Sequence, residues 1–341
     1  LLCSLTSLTR TSAMIAVLEK LFSHEVLSQE EAKQVLLGIT DGAFNEVQVA
    51  SFVTAYQLRA ITIQELQGFR DALLEVAVPF SMEGERTIDI VGTGGDGKNT
   101  FNISTCSSLV VAGAGYKVTK HGSYGVSSSV GSSNVLQALG YEFTNDTDVL
   151  RKQLDEANIC FLHAPVFHPA MKAVVPVRKQ LGMKTFFNML GPLVNPIQPT
   201  HQLFGTFSLE LSRLYHYIMQ ASGRTYAIVY ALDGYDEISL TGEAKVRSSR
   251  GEYILTANDF DLPVLQGADL YGGETAEDAK AIFLAVLNDT ATPAQKAVVC
   301  ANAGLAIRTL RPDKTLPECV LEAQESIETG AALAKLYKLI H

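Results

Sequence analysis

Four glycines fall within six positions of the segment TIDIVGTGGDGKNTFNIST, Thr87 to Thr105. Ahead of them Thr87 to Val91 reads as a buried strand. Behind them Thr100 to Ala112 reads as a helix whose first turn is rich in hydroxyls. Glycine lets the backbone take positive φ or come close to a ligand. A strand, a glycine loop and a helix N-terminus together aim several N–H groups and a positive helix end at one point. Such a point suits a phosphate.

Gly92, Gly94 and Gly97 also satisfy the spacing G-x-G-x-x-G of a dinucleotide fold. That reading asks for an acidic residue roughly 20 positions on, to hold a ribose hydroxyl. The chain offers Lys117 and Lys120 there, which an NADP site tolerates, and places Asp96 inside the loop itself. A tight strand-to-helix turn with no ligand is the bland alternative.

The chain has 341 residues, 47% of them apolar, enough for one large or two ordinary buried cores. A net charge of −9 argues against a broad nucleic-acid surface, which needs many phosphate-neutralising Lys and Arg. Any anion is therefore held by local devices. The five cysteines are widely spaced with no C-x-x-C pair, which suits a reducing cytoplasm and argues against disulfides or a zinc site. No apolar run approaches the roughly 18 residues of a membrane helix. Residues 1 to 13 are Ser/Thr-rich and read as an extension ahead of a helical pattern that opens at Met14.

From Met14 to about Phe80 every period is helical, with Ser28 and Glu31 at capping-box spacing. With no strand signal and no chemically loaded cluster, this stretch reads as a helical cap or oligomerisation domain. Tyr116 to Thr119 reads as a short strand leading into a Gly/Ser loop headed by Lys120 and His121, a second anion cradle with Lys120 as its point charge. Pro169 fits the start of a helix on which Met171, Val174, Val175 and Arg178 share a face, subject to distortion at Pro176. Arg178 then either snorkels at a core edge or is aimed into a cleft to clamp a carboxylate or phosphate. His168 reads as a capping or packing residue. The strand Tyr226 to Ala231 ends at Asp233-Gly-Tyr-Asp236-Glu237, where open α/β sheets bind ligands. Asp236 and Glu237 form either a solvated turn or, with Asp96, an oxygen-ligand set for Mg²⁺. The remainder, from about Lys245 onward, reads as scaffold.

GTGGDG at 92–97 with FNIST at 101–105, KHG at 120–122, GSSNVLQALG at 131–140, HPAMKAVVPVRKQLG at 168–182, FNMLGPLVNP at 187–196 and DGYDE at 233–237 resemble the anthranilate phosphoribosyltransferases. The resemblance runs in order over nearly the whole chain from Met14. It implies a small helical domain over 14–83, joined in space by a segment near 168–195, a larger α/β domain over 84–341 with a mostly parallel central sheet, and a homodimer. It implies that phosphoribosyl pyrophosphate is held by Gly92, Gly95, Asp96, Thr100, Asn102, Ile103, Ser104 and Thr105. The second loop would add Lys120, His121, Gly122, Ser123, Tyr124, Gly125, Val126, Ser127 and Ser128, together with Ser132. It further implies Mg²⁺ on Ser104, Asp236 and Glu237, and anthranilate beside Arg178, with no side chain acting as acid, base or nucleophile.

The family's second loop commonly reads Lys-His-Gly-Asn-Arg, whereas Ser123 and Tyr124 follow the glycine here. That departure bears on the aromatic acceptor more than on the ribosyl chemistry. A pyrimidine nucleoside phosphorylase, a nucleic-acid-binding relative without activity and an NADP-linked oxidoreductase are the other functions this sequence admits.

Overall fold

The computed structural model describes residues 7–82, 84–125 and 130–341, and the chain divides into two compact units. The first unit comprises Leu1–Pro79 and Ala164–Pro196. Its helices are α1 (Ser7–Phe22), α2 (Gln29–Thr40), α3 (Glu46–Leu58), α4 (Ile63–Glu75), α8 (Ala164–Phe167) and α9 (Val175–Leu181). Helix α1 begins at Ser7, so part of the stretch expected to precede the helical pattern continues it. Ser28 caps α2 as its spacing implies: the Glu31 N–H donates to Ser28 Oγ (3.2 Å) and the Ser28 N–H to Glu31 Oε2 (2.8 Å).

Aromatic packing closes the core of this unit. Phe69 stacks on Phe186 with ring centroids 4.6 Å apart, and Phe52 and Tyr56 meet both edge-on. Buried Glu65 accepts from the Leu27 N–H (3.0 Å), the Tyr56 hydroxyl (3.1 Å) and Arg59, so its charge is paired as burial requires.

The second unit, Phe80–His163 with Ile197–His341, is built on a seven-stranded sheet of order β3-β2-β1-β4-β5-β6-β7. Its strands are β1 (Thr87–Gly92), β2 (Lys117–Gly122), β3 (Ile159–His163), β4 (His201–Gly205), β5 (Thr225–Ala231), β6 (Ala244–Ser248) and β7 (Gly251–Leu255). The first five run parallel and β6 and β7 are antiparallel. The helices are α5 (Ile103–Gly113), α6 (Ser132–Ala138), α7 (Thr147–Ala157), α10 (Leu209–Ser222), α11 (Ala276–Leu287), α12 (Pro293–Leu310), α13 (Leu316–Glu328) and α14 (Ala331–Ile340). Parallel strands flanked by helices are buried on both faces, which is why β3 and β4 are buried along their whole length. Helix α12 packs on α5, α13 and β4, and most of it is buried.

Candidate active site

In strand order the chain steps from β1 to β2 and β3 on one side and to β4 and β5 on the other. The reversal between β1 and β4 is the switch point at which open α/β sheets leave a crevice beyond their carboxyl ends. The glycine loop leaves β1 there. Gly94 (φ +63°), Gly95 (φ +80°) and Gly97 (φ +74°) occupy backbone space that L side chains avoid, so the loop's course depends on them.

At that end Gly92 and Gly205 are in register across β1 and β4. Neither carries a side chain, and Asp236 fills the space. A Cβ on Gly92 would come 2.5 Å from Asp236 Oδ2, and one on Gly205 would overlap the Asp236 carbonyl oxygen. The Gly94 N–H donates to Asp236 Oδ2 at 2.7 Å, and the Thr93 N–H to the Gly205 carbonyl at 2.9 Å. Gly205 is missing from the sequence reading. The trace it leaves is a glycine directly after Leu203 and Phe204.

The Asp-Glu turn between β5 and β6 thus lies against the glycine loop, and both its carboxyls are largely buried, each 9% exposed. Burial, reinforced by Asp96, pushes the Asp236 carboxyl up to about 7. Burial followed by the charges of Asp236 and Asp96 raises Glu237 well above the usual range. Asp96 is also raised, again chiefly by burial, although it accepts the Lys98 N–H at 3.0 Å. The Lys98 ammonium itself rests over the Tyr235 ring, 4.7 Å from its centroid. Three acids, each raised chiefly by burial, are therefore gathered on one side of the loop.

Helix α5 begins where the loop ends. Ile103, Ser104 and Thr105 are its first three residues, and the N–H groups of a helix's first turn have no partner within the helix. Asn102, the N-cap, makes no capping bond with its side chain. Its Nδ2 donates to the Val130 carbonyl at 3.1 Å, while its buried Oδ1 has no partner. Thr100 bridges to Tyr271, and Gly272 approaches so closely that a Cβ there would lie 2.6 Å from the Thr100 carbonyl oxygen. Thr100 also hydrogen-bonds Glu237, tying loop to turn.

The second cradle departs from its expected layout. Strand β2 runs on to Gly122, so Lys120, His121 and Gly122 belong to the sheet rather than to the head of a loop. The strand is covered on both faces, so Lys120 lies in the interior, where it is 2% exposed and donates to the Ile90 carbonyl at 2.5 Å. Burial lowers its ammonium to about 8 against the opposing charge of Asp89. It is not a point charge presented by the loop. Beyond Gly122, the Ser123 carbonyl accepts from the Ser133 N–H (3.1 Å) and Ser132 Oγ (3.2 Å). Asn134 Oδ1 accepts from the N–H groups of Gly125 (3.0 Å) and Gly131 (2.9 Å). Tyr124 meets the His163 ring edge-on at 4.9 Å, and that ring stacks on Phe143 at 4.1 Å. Val126, Ser127 and Ser128 lie outside the described residues.

Arg178 belongs to the first unit, on α9. The helix expected over 168–182 is split into a 3₁₀ turn (Pro169–Val174) and α9, and the change of period at Pro176 shifts the faces. Val174 and Val177 are buried while Val175 is 54% exposed, so Val175 does not share the core face assigned to it. The Arg178 guanidinium lies over the Phe187 ring, 5.5 Å from its centroid, and makes no ion pair among the described residues. His168 packs rather than caps, its Nε2 meeting the Val194 carbonyl at 2.8 Å.

The donor set fits a hard divalent cation. Glu237 Oε1 and Asp96 Oδ2 are buried oxygens without hydrogen-bond partners, and the burial that disfavours charge on all three carboxylates is what a bound cation offsets. Among the described residues no group of three or more His, Cys, Asp or Glu converges closely enough to hold a metal unaided. Mg²⁺ commonly takes one or two carboxylates and completes its shell with substrate phosphate and water.

Comparison with known proteins agrees with this arrangement. Residues 84–333 match the glycosyl transferase family a/b domain, and residues 15–77 match its helical bundle domain. The chain is 57% identical to the anthranilate phosphoribosyltransferase of Cytophaga hutchinsonii, over 93% of this chain and 96% of that protein. It is 53% identical to the anthranilate phosphoribosyltransferase of Bacteroides thetaiotaomicron, over 96% of this chain and 98% of that one. Among solved structures, the Thermus thermophilus anthranilate phosphoribosyltransferase superposes with a TM-score of 0.88 at 33% identity, covering 95% of this chain and 98% of that one. The Saccharomyces cerevisiae enzyme in complex with PRPP and Mg superposes with a TM-score of 0.89 at 26% identity, covering 96% and 97%. The chain belongs to the glycosyl transferase family and, within it, to the anthranilate phosphoribosyltransferases.

Proposed function

We propose that this chain moves the phosphoribosyl group of phosphoribosyl pyrophosphate onto the amine of anthranilate, releasing pyrophosphate, as a pentosyltransferase of tryptophan biosynthesis. The observation that carries the reading is Asp236 seated over the paired glycines Gly92 and Gly205, beside a loop aimed at a phosphate. Asp236, Glu237 and the Ser104 hydroxyl are assigned to hold Mg²⁺. When bound, the ion neutralises charge on the departing pyrophosphate. The glycine loop and the first-turn N–H groups of Ser104 and Thr105 bind phosphate oxygens without needing net positive charge.

An aryl amine is neutral at pH 7 and needs no strong base, so the chain's work is positioning and charge stabilisation. Cys106, on the helix that follows the loop, is fully buried and its thiol is pushed far up by burial, so it is not offered as a nucleophile. Arg178 is assigned the anthranilate carboxylate, its rigid fork being suited to bidentate pairing. Mixing the protein with anthranilate, phosphoribosyl pyrophosphate and Mg²⁺ should quench anthranilate fluorescence. Persistence of that fluorescence under saturating conditions would overturn the reading.

A homodimer is the assembly we infer. The first unit leaves Phe22 60%, Val26 51%, Val47 75% and Leu58 82% exposed, an apolar display that a second copy would cover. Sedimentation at micromolar concentration should give twice the chain mass. No described helix is long and apolar enough to cross a membrane, and the described cysteines are free, in keeping with a reducing cytoplasm.

A further inference from the structure

Helix α12 carries a polar residue in an apolar setting. Asn302 is 4% exposed and lies in the run VVCANAGLAI, whose side chains are almost all buried. A buried amide is costly unless its hydrogen bonds are made. Asn302 Oδ1 accepts the Ile238 N–H at 3.0 Å, and its Nδ2 donates to the Ile238 carbonyl at 2.8 Å and to the Val298 carbonyl at 2.9 Å. These partners fix the amide's orientation, because only the oxygen can face an N–H and only the nitrogen can face two carbonyls.

Ile238 directly follows Asp236 and Glu237 and lies outside the strands, so no ladder holds this stretch. Two residues on, Leu240 is buried with φ +60°, a left-handed conformation rare for a branched apolar residue. Its carbonyl is retained by the Leu265 N–H at 2.9 Å. The Glu237 carboxylate is only partly held, by Thr100, since Oε1 has no partner. A strained segment that presents an incompletely bonded acid needs an anchor from a rigid element. Asn302, on the longest helix of the unit, grips both backbone groups next to that acid.

We propose that Asn302 is a positioning residue for the metal site, fixing the main chain behind Asp236 and Glu237 so that both carboxylates face the pyrophosphate. The proposal rests on the Mg²⁺ role given to these two acids above. It assigns an element of the site to a helix that otherwise serves as packing.

The test is calorimetric titration of the full-length protein with phosphoribosyl pyrophosphate at a series of Mg²⁺ concentrations, alongside melting temperature and steady-state kinetics. Losing a support behind a metal ligand costs about 10- to 100-fold in metal affinity. Asn302→Ala is expected to raise the Mg²⁺ concentration for half-maximal sugar binding by that factor, and to raise the KM for phosphoribosyl pyrophosphate but not that for anthranilate. Asn302→Asp keeps the acceptor for the Ile238 N–H while losing a donor; it should shift in the same direction and serves if the alanine variant does not fold. Val299→Ala, a packing loss on the same helix, should lower the melting temperature with Mg²⁺ dependence unchanged. If the Asn302 variants only lose stability, with Mg²⁺ half-saturation within about twofold of wild type, the positioning role is overturned. Wild-type binding that needs Mg²⁺ but yields no transfer to anthranilate overturns the proposed reaction and leaves this role standing. Wild-type binding indifferent to Mg²⁺ overturns both.

Discussion

Gly205 and Asp236 occupy one another's space: the hydrogen that glycine has in place of a side chain is what admits the Asp236 carbonyl. Gly205→Ala must therefore displace the acid or bend the end of β4. Overpacking of this kind costs about 1 to 3 kcal/mol. The variant is expected to lose that much in chemical denaturation and to lose turnover at least as severely as Asp236→Ala. Unchanged kcat in Gly205→Ala would show that the close fit is irrelevant to the reaction.

Asp236→Asn keeps the shape and an acceptor for the Gly94 N–H but removes an acid that burial disfavours in its charged form. Stability without substrate should stay level or rise, read as the melting temperature in the absence of Mg²⁺. Activity should fall by about 10² to 10³, the usual loss when one preorganised charge-stabilising group is removed. A variant both active and less stable would refute the metal-ligand role.

Arg178→Gln removes the fork while leaving a side chain of moderate length. Hydrogen bonds to charged groups contribute about 1.5 to 3 kcal/mol, so the KM for anthranilate should rise roughly 10- to 100-fold. The KM for phosphoribosyl pyrophosphate should stay within about twofold. Equal changes in both constants would point to a general disturbance of the first unit.

Lys120 gives a pH-dependent stability whose sign follows from its environment. Burial holds its folded-state ammonium at about 8, below the ordinary 10.5, so the charged form is penalised by folding. The penalty is complete below pH 8 and lifts as pH rises from 8 to 10.5, because in that window the unfolded chain binds more protons. Lys120→Met should therefore be more stable than wild type at pH 7, with the advantage shrinking towards pH 10. A constant difference across that range would mean the ammonium is not the cause.

The glycine loop, the Asp-Glu turn and the mostly parallel sheet are legible in the chain because their signals are local. Gly92 to Gly97 announce a backbone conformation, and Asp236-Glu237 closes an apolar run. Lys120 is misread for a reason of length: β2 extends three residues past Thr119 to Gly122, and a parallel strand covered on both faces takes the ammonium out of solvent. Val175 is misplaced because helical period alone does not reveal a 3₁₀ turn giving way to an α-helix before Pro176. Gly205 and Asn302 are invisible for a different reason. Each acts on a partner far along the chain, and one glycine or one asparagine has no meaning until the sheet brings that partner to it.

The antiparallel turn from β5 to β6 has a consequence beyond pairing. A helical crossover after β5 would have carried the chain to the far side of the sheet before it could re-enter. Direct reversal keeps residues 232–243 at the rim where the glycines lie, and leaves them free of any helix or strand. The acids thus reach the glycines along a connection whose course is set by contacts across the rim rather than by the sheet ladder.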